Sequence, residues 1–169
     1  MIRALLFLAA GLALAACTGS GGSTAPSDAE YGHRYEGLAP DGRETVLITP
    51  PDSAVSYVVT PAVLDSVLVR PARTAAAPGE AVPVEVLVKG ALPDACSALN
   101  PPEQSRAANL VAVTLTMRRP RETACAQVVR PFRFYLPLEG TYPPGAYTLT
   151  LNGAAYPFRI RAAEPDSGS

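Results

Sequence analysis

The sequence contains no tryptophan, a single histidine and only three cysteines among its 169 residues, and its formal net charge is −1. One histidine cannot build a metal site without several other strong ligands, and it excludes Ser-His-Asp and Cys-His catalysis in their usual forms unless His33 itself serves. The near-neutral charge gives no electrostatic reason to expect nucleic-acid binding. No Gly-x-Ser-x-Gly elbow or phosphate-binding glycine loop is present. We therefore expect no enzymatic activity, no cofactor and no metal.

The chain begins with a short apolar stretch. A single cation, Arg3, precedes thirteen uncharged residues, 4–16, whereas a membrane-spanning helix needs about 20 apolar residues. The stretch ends in Leu14-Ala15-Ala16-Cys17, which resembles the bacterial lipobox, where a peptidase cuts before a lipid-modified cysteine. We predict a signal peptide at 1–16 and acyl chains, palmitate among them, on Cys17. An ordinary secretory signal with an incidental cysteine is the alternative.

A Gly/Ser-rich segment follows the lipobox. Residues 17–30 show no apolar periodicity, and such a composition is typical of a flexible linker. The predicted protein is therefore tethered through Cys17 to a membrane of the cell envelope, the outer membrane if the organism has one, and faces an oxidising compartment. Two or three acyl chains on one residue anchor a protein stably, whereas one chain is marginal.

Short alternating runs rich in Val, Leu, Thr and Tyr fill the rest of the chain, which also carries 18 prolines. This pattern favours many strands and turns and few helices. We predict an N-terminal β-rich extension at 31–61, a β-sandwich domain at 62–162 and a disordered tail at 163–169. The predicted strands are 44–49, 54–60, 63–70, 81–89, 110–118, 132–138, 147–151 and 154–160.

The last two strands carry the strongest local signal. Asn152-Gly153 between alternating runs favours a two-residue type I′ hairpin loop. This loop predicts a register in which Leu151 lies opposite Ala154, Leu149 opposite Tyr156 and Tyr147 opposite Phe158. All six side chains then lie on one face of the hairpin.

The run 81–89 also alternates, with four valines on one face and mainly polar residues, including Glu85, on the other. This pattern predicts one core face and one largely solvated face. Pro83 cannot donate a ladder hydrogen bond, so we expect an edge or a bulge there. In the run 132–138, Tyr135 is expected to point away from the face of Phe132 and Phe134.

Together the runs predict an all-β fold, an antiparallel β-sandwich that is immunoglobulin-like in layout, with a sheet closed on itself as the alternative. If lipid occupies Cys17, then Cys96 and Cys125 remain, and an exported protein normally oxidises such a pair. We expect one disulfide between them; two separate buried thiols are the alternative. Asp41 with Glu44, and Asp94, lie in turn-like sequence, where aspartate favours local backbone hydrogen bonds.

One segment resembles a known group of proteins. Leu92-Pro93-Asp94-Ala95-Cys96 and Cys125-Ala126-Gln127 lie on either side of a Thr-rich strand, and the similarity extends over residues 63–161. The pattern resembles uncharacterised bacterial envelope lipoproteins. The resemblance implies a disulfide-bonded β-domain on an exported protein and assigns no activity.

The remaining candidates concern binding. Arg118, Arg119 and Arg121 form a basic cluster that suits an anionic envelope component, although a solvated loop between strands is the favoured interpretation. The sequence thus predicts a non-catalytic, membrane-anchored lipoprotein that binds or braces another envelope protein or glycan. The alternative is an inhibitor or chaperone-like binder of an envelope enzyme or client, acting through a Pro-rich loop at 97–106.

Overall fold

The computed structural model describes Tyr31 and residues 34–163, and this part of the chain is built from twelve β-strands. In chain order they are β1 (Glu44–Thr45), β2 (Tyr57–Pro61), β3 (Val63–Pro71), β4 (Ala75–Ala76), β5 (Val84–Leu92), β6 (Ala98–Leu99), β7 (Glu103–Ala107), β8 (Leu110–Thr114), β9 (Thr116–Pro120), β10 (Arg130–Pro137), β11 (Gly145–Leu151) and β12 (Ala154–Ala162). The predicted signal peptide and linker, Cys17, His33 and residues 164–169 lie outside the described residues.

The strands form three sheets. The front sheet has the order β1-β10-β5-β3, the back sheet β4-β12-β11-β8-β7, and the small sheet β2-β9-β6. Side chains from all three sheets meet in one hydrophobic core. The predicted all-β sandwich is confirmed, and β1 and β2 join its sheets from within 31–61. Most pairs are antiparallel, but β1 with β10, β8 with β11 and β4 with β12 run parallel.

The β11–β12 hairpin has the predicted register. Tyr147 lies opposite Phe158, Leu149 opposite Tyr156 and Leu151 opposite Ala154. Asn152 and Gly153 have φ values of 49° and 87°, as a type I′ turn requires. Here the turn residues and the alternation of the strands determine the same structure.

The predicted strand 110–118 is wrong as a single strand, because the chain changes sheets at Leu115. The side chain of Asn152 accepts a hydrogen bond from the Leu115 N–H and donates one to its carbonyl, both at 2.8 Å. The Ala62 N–H donates to the same carbonyl at 3.0 Å. Leu115 therefore bonds to a side chain and to a loop, so β8 remains in the back sheet while β9 enters the small sheet.

Two expectations for the run 81–89 are also wrong. Pro83 precedes β5, which is a central strand with β10 on one side and β3 on the other, and the bulge lies in β3 between Leu64 and Ser66. The face predicted to be solvated is covered, since Glu85 is 1% exposed and Leu87 is also buried. The alternation of a strand does not reveal that a distant segment will cover its second face.

Gly90 shows how closely the front sheet packs on its core face. A Cβ atom at this position would lie 2.2 Å from the Val63 carbonyl oxygen and 2.6 Å from Cζ of Phe132. Glycine is therefore required for β3 and the Phe132 ring to approach β5 together.

The stretch 97–106, expected to be a Pro-rich loop, contains β6 and most of β7, so that prediction is wrong. The side-chain amide of Gln104 donates to the Pro137 carbonyl at 3.0 Å and accepts from the Glu139 N–H at 3.3 Å. Arg106 donates to the Thr141 carbonyl at 2.9 Å. These bonds attach β7 to the end of β10 and to the segment that follows it, which the prolines before β7 did not indicate.

Candidate binding groove

A groove lies on the outer side of the small sheet, with a volume of about 570 Å³. Its floor contains Thr116 and Arg118 of β9, the middle strand of that sheet. Its walls come from β2 and the segment before it, and from the chain that joins β6 to β7. The lining residues are Pro51, Tyr57, Val59, Asn100, Pro101, Pro102, Glu103, Thr114, Thr116 and Arg118.

Arg118 is the buried charge of the groove, with only 7% of its surface exposed. One terminal nitrogen donates to the Leu99 carbonyl at 2.7 Å and to Oδ1 of Asn100 at 3.0 Å. The other donates to Oγ1 of Thr49 at 3.3 Å and to the Pro50 carbonyl at 3.4 Å. All four acceptors are neutral, and no carboxylate among the described residues lies within 4.0 Å of this guanidinium.

The neighbouring Arg119 points to the opposite face of β9, as successive residues of a strand do. Its Nε donates to Oδ2 of Asp94 at 2.8 Å. Arg121 is exposed and donates to the Tyr57 carbonyl at 3.2 Å. The predicted patch of Arg118, Arg119 and Arg121 is therefore wrong, because one member is buried in the groove and another is paired on the far side of the strand.

Asp94 confirms the turn interpretation of its sequence. Its Oδ1 accepts hydrogen bonds from the Cys96 N–H, the Ser97 N–H and the Ser97 hydroxyl, at 2.8–2.9 Å. Burial raises the pKa of Asp94, but the bonds from Ser97 and Cys96, together with the charge of Arg119, outweigh it and hold the pKa below its usual range. Asp94 thus connects the disulfide loop to β9.

The predicted disulfide is present. Cys96 and Cys125 are bonded, with their Cα atoms 5.7 Å apart. Within the described residues, one group of three potential metal ligands lies close together, and it consists of Asp94 and these two sulfurs. Because the sulfurs are joined in a disulfide, neither is a thiolate that could bind an ion. The cluster is therefore a structural staple.

A second buried charge lies on the outer face of the front sheet. Glu85 of β5 pairs with Arg34 and, at 3.2 Å, with Arg70, which lies directly opposite it on β3. The ring of Tyr135 lies beside both guanidinium groups, at 4.6 and 5.3 Å from ring centre to Cζ. Tyr135 also accepts a hydrogen bond from the Tyr35 N–H at 3.0 Å, so the segment before β1 covers this face. As predicted, Tyr135 points away from the buried Phe132 and Phe134.

Asp41, predicted to lie in a turn, joins this covering segment to the sheet. In this turn the Ala39 N–H donates to the Arg43 carbonyl and the Gly42 N–H donates to the Ala39 carbonyl, both at 2.9 Å. A hydrogen bond from Lys89 lowers the pKa of Asp41, as do the Arg43 N–H and the charge of Arg133, although burial opposes them. Glu44, the other candidate carboxylate, is exposed in β1. These residues hold the N-terminal segment on the front sheet.

Residues 86–160 match the ORF11 beta-sandwich domain family. An uncharacterised 10.2 kDa protein in the HgiCIIM 5′ region of Herpetosiphon aurantiacus is 32% identical over 77 residues, which are 46% of this chain and 82% of that protein. The chain belongs to this family of β-sandwich domains. Two further 10.2 kDa proteins of the same organism, in the HgiBIM and HgiEIM 5′ regions, are 29% identical over 77 residues, or 94% of each. No solved structure matches the chain.

The residues that match the family form only part of the groove. They include Arg118 and the wall at Asn100–Glu103 but not β2, which contributes Tyr57 and Val59. Among the described residues, no helix is long and apolar enough to cross a membrane.

Proposed function

We propose that this ORF11-type domain is a non-catalytic binding module of the cell envelope, anchored by lipid on Cys17, which binds or braces another envelope component through the groove. The observation that carries the binding role is the groove itself, an apolar channel of about 570 Å³ on the surface of a sandwich. Open apolar channels rimmed by polar groups are typical of binding sites.

Lipid anchoring is proposed from the sequence Leu14-Ala15-Ala16-Cys17 and the Gly/Ser-rich linker after it. The disulfide supports an oxidising, extracytoplasmic location, because such bonds are rare in the cytosol. It also occupies both cysteines that follow Cys17, so neither supplies a nucleophilic thiolate.

The anchoring proposal is tested by Cys17→Ala, followed by membrane fractionation and mass spectrometry of the N-terminus. We expect a soluble exported form or an uncleaved precursor, because the peptidase acts on the modified cysteine. A membrane-bound variant with a normally acylated N-terminus would contradict the proposal.

The binding proposal is tested by a photo-crosslinking amino acid at Val59 in the intact lipoprotein. Leu68 is the matched control, since the two side chains are 55% and 56% exposed but only Val59 lines the groove. We expect a discrete envelope adduct from position 59 and none from position 68. Equal labelling at both positions, or adducts at neither, would contradict groove binding.

A second candidate function is inhibition of, or chaperone-like binding to, an envelope enzyme or client protein. It is favoured by the position of Pro101, Pro102 and Glu103, which come from the stretch expected to mediate it and form one wall of the groove. The same crosslinking experiment separates the two, because a captured hydrolase favours inhibition and a stable envelope assembly favours bracing.

A further inference from the structure

Strand β2 forms one edge of the small sheet, and its pairing with β9 shows which backbone groups point away from the sheet. Tyr57 lies opposite Pro120, which has no N–H and so cannot exchange ladder hydrogen bonds with it. The bonded positions are the alternate ones, since the Arg121 N–H donates to the Ser56 carbonyl at 3.0 Å. The N–H and C=O groups of Tyr57 and Val59 therefore face outward. Within the part of the chain that the structure describes, no strand pairs with this edge.

The other edge strands are shorter or better protected than β2. Each sheet has two edge strands, and β1, β4 and β6 have two residues each. β3 contains Asp65 and a bulge, and β7 contains Glu103 and Arg106, features that keep other chains from pairing. β2 has no charged residue and no bulge, and Val58 and Val59 on its opposite faces are 39% and 55% exposed. This edge is therefore open to a further strand.

The outward groups of β2 match those of a second β2 strand that runs antiparallel to it. With Val59 opposite Val59 of the second copy, these two residues exchange N–H···O bonds across a two-fold axis. Tyr57 then lies opposite Pro61 of the second copy, and its N–H donates to the proline carbonyl. Pro61 has no N–H to return, and the Tyr57 carbonyl that it faces already accepts from Nε of Arg121 at 3.2 Å. In this register no outward N–H of β2 lacks an acceptor.

The side chains favour the same pairing. Val59 meets Val59 of the second copy on the groove face, and Val58 meets Thr60 of the second copy on the other face. β-branched pairs of this kind stabilise a sheet, and they remove exposed apolar surface from water. Because β2 carries no charge, the repulsion between like charges that opposes self-pairing of a charged strand is absent.

We infer that two copies of this chain associate through β2, in an antiparallel pair centred on Val59 that joins their small sheets into one continuous sheet. Directly opposite residues of such a pair point to the same side, so the two grooves lie on one face, each next to Val59 of the second copy. The inference goes beyond the proposed function, because it does not depend on what the groove binds.

Disulfide trapping in purified, oxidised chain with Cys17→Ala tests this pairing. The Cα atoms of a hydrogen-bonded antiparallel pair lie about 5.5 Å apart, a separation that a disulfide spans. We expect Val59→Cys to form a covalent dimer and Leu68→Cys, which is equally exposed but on β3, to remain monomeric. Peptide mapping checks that the bond between Cys96 and Cys125 is retained. Cross-linking of Val59→Cys that is no faster than that of Leu68→Cys would overturn the inference.

A mixture of two variants tests the register. Val58 lies opposite Thr60 of the second copy, so chains with Val58→Cys and chains with Thr60→Cys should cross-link with each other more than either does alone. Equal cross-linking in the mixture and in the separate samples would contradict an axis at Val59.

Sedimentation equilibrium tests self-association without an added cysteine, and the mass of the chain should double as its concentration rises. Val59→Lys places two like charges opposite each other and should weaken the dimer about 5–10-fold, as should Val59→Glu, whereas mixing the two variants should restore it. Val59→Pro removes only an outward N–H and should weaken the dimer about 10-fold, because two intermolecular bonds are lost. Circular dichroism checks that each variant is folded.

The outcomes separate this inference from the proposed function. A purified chain that stays monomeric at all concentrations, or a dimer unaffected by every change at Val59, would overturn the inference and leave groove binding untouched. In the photo-crosslinking experiment, an adduct of twice the mass of the chain supports the dimer, whereas an adduct with a different envelope component supports groove binding. A monomeric chain whose adduct with another protein is lost in Val59→Pro would mean that β2 pairs with a strand of that protein, and would overturn self-association.

Discussion

Glu85 and Arg118 are both buried charges in sheets of the same domain, but their surroundings differ. Glu85 is enclosed by Arg34 and Arg70 and covered by the N-terminal segment, so its charge is neutralised within the chain. Arg118 has neutral acceptors and lines an open groove. A buried charge is thus held by opposite charges at Glu85 and by several neutral acceptors at Arg118, and losing either residue leaves its partners without their bonds.

The largest expected effect is on the Glu85 side of this comparison. Glu85→Gln should lower the free energy of unfolding by about 3–5 kcal/mol, because it leaves two guanidinium groups without their buried anion. Urea denaturation of the oxidised protein measures the change. Asp65→Asn removes a 2.8 Å pair with Arg43 that is partly exposed, and should cost at most about 1 kcal/mol. Equal losses in the two variants would contradict the assigned role of Glu85.

Loss of the disulfide should have an effect on stability between those of Glu85→Gln and Asp65→Asn. Replacing both Cys96 and Cys125 with Ala should lower the free energy of unfolding by about 2–4 kcal/mol while keeping β-rich circular dichroism, since the bond closes a loop of 29 residues. The wild-type protein under reducing conditions should show a similar loss. Free thiols at both positions in protein isolated from cells without reductant would contradict the pairing.

Arg118→Met should cost less, about 1–3 kcal/mol, since the Leu99 carbonyl and the Asn100 side chain lose a donor but no carboxylate is left unpaired. Urea denaturation of Arg118→Met and Glu85→Gln in parallel measures the difference in their free energies of unfolding. A loss as large as that of Glu85→Gln would contradict the expected difference between the two buried charges.

The smallest effect is the dependence on pH at Asp94. Its pKa in the folded protein lies below the unfolded value of 3.8, so its stabilising contribution is complete above that value and is lost as the pH falls through the folded pKa. The difference in unfolding free energy between the wild type and Asp94→Asn should therefore shrink in acid below pH 3.8. Arg121→Gln should follow the wild-type curve. A difference that grows in acid would contradict the direction of the shift.

Local patterns predicted part of this structure. Asn152-Gly153 specified the hairpin register, and the alternation of 132–138 placed Tyr135 on the face opposite Phe132. The cysteine count, together with the predicted export signal, led to the prediction of the disulfide. In each case the determining residues are neighbours in sequence or belong to a small set with few ways to pair.

The rest depends on contacts between distant residues. The break at Leu115 requires the side chain of Asn152, and the burial of Glu85 requires Arg34, 51 residues earlier. Three basic residues within four positions, 118–121, suggested one patch, although strand alternation alone separates Arg118 from Arg119. Applying that rule across the β9 region would have divided the patch, but it would not have shown which arginine has a carboxylate partner.

The most direct test of the proposed binding function is photo-crosslinking from the groove of the intact lipoprotein. A crosslinking amino acid at Val59 should give a discrete adduct, whereas one at Leu68, which is equally exposed but lies outside the groove, should give none. Equal labelling at the two positions would contradict binding through the groove.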